Sequence, residues 1–167
     1  AKAIADKAGD TVTAVSVNPT DSSDALYRYG ANHVINIKDE GLKSFSAKAY
    51  AQAMNEVSTG NIIVFPHTVD ASSIAPMLAV AKDFALITNA LAAPESVSPF
   101  EVKRKVFSGK GFMQAKAEGN GVIVTVSQNA FGVKENPVSG TEEVKDLAVS
   151  NEDTKVVSHE QNSGKLD

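Results

Sequence analysis

The stretch Phe65 to Pro76, FPHTVDASSIAP, gathers the side chains of this sequence best suited to holding a ligand. Thr68, Asp70, Ser72 and Ser73 bring hydroxyls and a carboxylate, and His67 brings an imidazole. They lie between an apolar run, Asn61 to Phe65 (NIIVF), and a helical pattern over about Ser72 to Ala81. In an open parallel sheet, ligands bind beyond the carboxyl ends of strands, where strand-to-helix loops meet helix N-termini. Free N–H groups and the helix dipole at that point suit a phosphate or a hydroxyl-rich ligand. The same residues suit a structural task, because Asp70, Ser72 or Ser73 ahead of a helix is also an N-cap. There is no Walker A run and no GxGxxG, so no phosphate cradle is specified.

No second set of residues adds up to a reaction. As a general base His67 needs an orienting carboxylate and a reacting partner, and the sequence places neither beside it. His33 opens a strand, His159 sits in a polar tail, and their spacings match no metal-ligand pattern. No serine lies in a GxSxG elbow or an SxxK pair. Lys103, Arg104, Lys105 and Lys110 form a basic cluster that suits an acidic partner or a strand edge guarded by lysine. The chain has no cysteine, which removes disulfides, thiolate catalysis and cysteine-held metals together. The expectation is therefore a binding or scaffolding domain with no catalytic and no metal-binding residues.

The elements that must position the loop can be read from hydrophobic period. Thr11 to Val17, His33 to Ile37, Asn61 to Phe65 and Phe84 to Thr88 read as strands. Helical runs over Ala1 to Ala8, a short one after Asp21-Ser22-Ser23, one over Lys43 to Val57 and the one after Asp70 separate them. Gly30 stands where a left-handed residue after the short helix is expected. Strand and helix alternating at this pace imply right-handed crossovers and a parallel sheet. From about residue 99, Glu101–Phe107, Gly111–Lys116 and Val122–Ser127 are separated by Gly-rich joints and read as antiparallel hairpins. The expected organisation is one α/β domain over 1–133, extended by hairpins from about 99. A polar tail or linker over 134–167 follows, in which Val144, Leu147, Val149, Val156 and Val157 can form an edge strand or two. An α/β domain seldom begins on a helix, so a strand is expected to be missing ahead of Ala1.

Composition narrows the function classes. With 43% apolar and 22% charged residues the chain is of the ordinary globular kind, and 167 residues suffice for one core without disulfide or metal. A net charge of −4 argues against a nucleic-acid partner, which needs a basic face. No apolar run approaches the length that spans a bilayer, and no signal peptide is present, so no membrane partner is expected.

Three stretches, taken together, resemble the amino-terminal domain of the electron-transfer flavoprotein α subunit. They are ALYRYGANHVINIKDEGLKSFSAKAYAQAM, NIIVFPHTVDASSIAPMLAVAKDFALITNALA and VKRKVFSGKGFMQAKAEGNGVIVTVSQNAF. The first is similar to that family's helix, YGA, strand and acidic-turn segment. The second is similar to its strand, threonine/serine loop and APxLA helix, and the third to its R-x-x-Y-x-G-N-A hairpin followed by T-V-R-P-x-A-F. KVVSHEQNSGKLD resembles the linker ahead of the flavin domain. There are departures: Pro66-His67 replace the usual Gly-Ala, Ala71-Ser72-Ser73 replace the usual residues before D-x-A-P, and Ser127 stands where the family has arginine.

The resemblance implies a parallel sheet flanked by helices, of the adenine-nucleotide α-hydrolase-like kind, with a β-hairpin extension. It implies a scaffold and interface role in an electron relay, with an electron-transfer flavoprotein β-type subunit or self-association as partner. The family's FAD is held mainly by a carboxy-terminal domain that this sequence lacks, so no cofactor is expected on this chain alone. A cytoplasmic home, or the mitochondrial matrix in a eukaryote, goes with the family. The alternative is a stand-alone adenosine- or nucleotide-binding α/β domain that uses Thr68, Asp70, Ser72 and Ser73.

Overall fold

The computed structural model describes residues 1–151, 156–158 and 160, so His159 lies outside the described residues. Helix α1 (Lys2–Ala8) opens the chain and is followed by β1 (Thr13–Val17), α2 (Asp24–Arg28) and β2 (His33–Lys38). A short 3₁₀ turn, Glu40–Leu42, precedes α3 (Ala47–Val57) and β3 (Ile62–Pro66). Then come α4 (Val69–Lys82), β4 (Ala85–Ala90), β5 (Ser96–Val97), β6 (Phe100–Val106), β7 (Gly111–Ala117), β8 (Val122–Val126) and β9 (Thr141–Asp146).

The strands form two sheets. One has the order β1-β2-β9 and is parallel throughout. The other has the order β3-β8-β4-β6-β5, with β7 paired to β6. Within it β3, β8 and β4 are parallel, and the β6–β7 hairpin is the antiparallel extension. The parallel α/β architecture with a hairpin extension is therefore the one that the alternating pattern implied.

One strand lies elsewhere than expected. Val122–Val126 is not a hairpin arm but a parallel strand seated between β3 and β4. Its residues VIVT are all buried, with Ile123 and Thr125 fully so. Val122 and Val124 face the cluster of Ile87, Phe100 and Val102, while Ile123 faces Ile63, Ala75, Leu78 and Ala79. A strand covered on both faces needs a continuous apolar run rather than an alternating one.

Helices α3 and α4 pack against each other and cover the sheets. Helix α3 starts at Ser46, whose hydroxyl accepts the Ala49 N–H, and its Ala49, Ala53 and Val57 pack on Ile35 and Ile37 of β2. These three lie four residues apart, one above another on a single face. Gly30 has φ 94°, as its position after α2 requires.

The polar segment after 133 is laced onto this frame. Arg28 pairs with Glu135 at 2.7 Å, and the Asn136 and Val138 N–H groups donate to the carbonyls of Arg28 and Tyr27. Strand β9 then pairs with β2, and Val149 is buried among Ile35, Ile37 and Leu42. The Asp39 carboxylate accepts the Val149 N–H at 2.7 Å. Val156 and Val157, by contrast, are exposed and lie in no strand.

Ile123→Ala removes a fully buried side chain from between two layers and is expected to cost about 2–5 kcal/mol of stability. Val80→Ala, on the outer face of α4, is expected to stay within about 0.5 kcal/mol. Urea unfolding of the two variants checks both.

Candidate functional site

Strands β3, β8 and β4 end together, and the Phe65–Pro76 loop leaves from the first of them. The helix begins earlier than its apolar stripe suggested, at Val69 rather than Ser72. Its N-cap is accordingly Thr68, whose extended backbone and hydroxyl satisfy the Ala71 N–H at 3.2 Å. Asp70, Ser72 and Ser73 are not the cap, because they already lie inside the first turns.

The four candidate residues are exposed, but most of their polar groups are turned inward on the helix itself. The Ser72 hydroxyl donates to the Thr68 carbonyl at 2.7 Å, and that of Ser73 to the Val69 carbonyl at 3.2 Å. Asp70 places its charge in the first turn, where the helix dipole favours it. It also acts on a neighbouring helix. Burial, and then the charge of Asp70, hold the Tyr50 phenol above its ordinary range, while its O–H donates to the Leu42 carbonyl at 2.9 Å.

His67 is drawn to a residue that sequence reasoning passed over. Its Nδ1 lies 2.9 Å from Oγ1 of Thr125, a hydroxyl with no solvent exposure in the centre of the sheet. The same oxygen accepts the Asn89 N–H at 2.9 Å. Three strand ends thus converge on one buried oxygen.

The register explains why Asn89 needs it. Ile87 pairs with Val124 and Ala90 with Val126, so two residues of β4 stand opposite Thr125 alone. The surplus makes a bulge, with Asn89 in the left-handed region at φ 64°. A bulge breaks the ladder, and the Thr125 side chain replaces the lost backbone bond. The Ser127 hydroxyl donates to the Asn89 side-chain oxygen, which holds the bulge from its other side.

Arg104 closes the cluster from β6. One guanidinium nitrogen donates to the Thr88 hydroxyl at 2.9 Å, while its Nε is buried without a partner among the described residues. The rest of the basic cluster disperses. Lys103 lies over the Phe112 ring at 4.7 Å, and Lys105 and Lys110 are exposed. His33 is remote from all this and meets Thr141 and Glu143 on β9. Among the described residues, no group of three His, Cys, Asp or Glu is placed to hold a metal ion, and no helix is long and apolar enough to cross a membrane.

The arrangement is thus a polar seam at the carboxyl end of a parallel sheet, whose donors and acceptors mostly serve one another. Thr125, Asn89 and Ser127 were missed because isolated polar residues at strand ends carry no motif. Applying the carboxyl-end rule to every strand, not only to NIIVF, marks the ends of FALIT and VIVTV as well.

Comparison with known proteins bears on what such a frame belongs to. A model of the electron transfer flavoprotein domain matches residues 1–152. The chain is also similar to an electron transfer flavoprotein subunit alpha of Bacillus subtilis (strain 168), with 26% identity over 138 residues. That alignment takes in 81% of this chain and 42% of the relative, so the chain spans about two fifths of the curated relative's length.

Thr125→Val is expected to cost about 1–3 kcal/mol, because it strands the Asn89 N–H and the His67 ring in a buried setting. Thr125→Ser is expected to restore most of that, and the Ser72→Ala/Ser73→Ala double variant to stay near neutral; chemical denaturation ranks the three. The raised Tyr50 pKa also has a sign. The fold favours the protonated phenol, so its contribution is full below tyrosine's ordinary value near ~10 and is lost as pH climbs through the raised one. Tyr50→Phe is accordingly expected to flatten the alkaline limb of a plot of stability against pH.

Proposed function

As the chain belongs to the electron transfer flavoprotein domain family, related to the α subunit's amino-terminal domain, we propose that it is the scaffold part of an electron-relay flavoprotein. It contributes a frame and an interface for a β-type subunit and leaves the flavin to another domain. The observation that carries this reading is the closure of the polar seam. Thr68 caps its own helix, Ser72 and Ser73 bond to backbone carbonyls, and Thr125 and Ser127 secure the Asn89 bulge.

A flavin or nucleotide site makes the opposite demand. It needs backbone N–H groups turned outward at a glycine-lined approach, so that a pyrophosphate can come close. Here the loop runs Pro66, His67, Thr68, Val69, and its one proline lacks the N–H altogether. The role is that of an electron carrier's component rather than a catalyst, and no residue in the seam is assigned a reaction step.

The chain expressed alone is expected to purify colourless and to take up no stoichiometric FAD from excess in a flavin-fluorescence titration. Co-expression with a β-type subunit of the same family is expected to give a complex that co-elutes in gel filtration. A yellow preparation with one FAD per chain overturns the assignment of the flavin to another domain. Absence of any complex with β-type subunits removes the interface role.

A further inference from the structure

Two strand edges face each other across a cleft. The first sheet ends at β1 and the second ends at β3, and residues of both line one cavity of about 750 Å³. Each strand pairs on one side only, so alternate N–H and C=O groups of each are turned toward the gap. Ile4, Val15, Tyr50, Met54, Ile62 and Val64 stand around it, all of them half-buried. Peptide edges on two sides with apolar side chains above and below are the surroundings of a central parallel strand. The rows are also matched in length, since β1 and β3 have five residues each.

The entry point is on the page too. Ala1 lines the same cavity, at the start of α1, and Asp10 and Thr11 line it where the chain turns into β1. A connection between adjacent parallel strands takes a dozen or more residues, usually as a helix. The stretch from Ala1 through α1 to Val12 has that length and that form.

We propose that the cleft is a slot for one further β-strand, an extended apolar segment of about five residues joined to Ala1. It pairs with β1 on one side and β3 on the other. Its insertion fuses the two sheets into one, with parallel order β9-β2-β1-slot-β3-β8-β4 and about 4.8 Å between neighbours. The segment brings β-branched residues to both faces, where the half-buried side chains named above are short of neighbours. This inference is independent of the electron-relay reading, because it concerns backbone pairing alone.

Hydrogen exchange on three forms of the protein tests it. The first is the 167-residue chain, the second carries the extension IVVIVV ahead of Ala1, and the third carries IVPPVV, equally apolar but without the central N–H groups. The extension IVVIVV is expected to slow exchange at residues 13–17 and 62–65 by at least about tenfold and to raise Tm, as buried ladder amides demand. The proline form is expected to match the unextended chain. Unchanged exchange with IVVIVV, or equal slowing by both extensions, overturns the proposal. Free IVVIVV peptide, added at one equivalent, is expected to protect neither strand. Protection by the free peptide, or protection in the 167-residue chain that rises with protein concentration, overturns the assignment to a joined segment in favour of a separate peptide or a second copy.

Discussion

The second sheet depends on one strand that arrives late in the chain. The β3–α4–β4 crossover leaves a gap one strand wide, and β8 fills it after the whole hairpin region has been traversed. Until Val122–Val126 is seated, Ile63 and Leu78 on one face and Ile87 and Val102 on the other have no common layer between them. Such a strand must be apolar on both faces, and VIVTV is, with one exception. The exception is Thr125, whose hydroxyl holds the ends of the two strands on either side.

That exception determines what the carboxyl end of the sheet can be. In many α/β proteins this end is open, and loops there present donors to a ligand. Here the bulge at Asn89 turns backbone inward, and Thr125 and Ser127 take up its groups. The strained residue is secured rather than exposed. A frame of this kind suits a protein whose chemistry is carried by a cofactor on another domain. The departures from the family pattern at Pro66, His67 and Ser127 fall on this seam and add a ring and a hydroxyl to its internal bonding.

Much of the frame was legible in the sequence because local period and topology agree over residues 1–90. Alanine-rich YAQAM and the NIIVF run each have one good solution. Legibility fails where an element is defined by its partner. VIVTV follows a Gly-rich joint, and a short apolar run carries no mark of direction, so its parallel pairing could not be separated from a hairpin arm. TEEVKD reads as polar because it is an edge strand with most of its side chains exposed, yet the register of β2 makes it a strand. Thr68 lost the cap to Asp70, Ser72 and Ser73 on paper because the apolar stripe of α4 begins only at Ala71 and Ile74, well inside the helix. The contact of His67 with Thr125 spans 58 residues, a distance over which spacing carries no information.

The central claim is that the seam is closed to ligands and belongs to the scaffold. The most direct measurement is an amide chemical-shift titration of the labelled chain with AMP, ATP and FAD in turn. The account predicts no saturable shifts at His67, Thr68, Asn89 and Ser127. Saturable shifts confined to those residues, at stoichiometric ligand, contradict it and make the carboxyl end of this sheet a working nucleotide site.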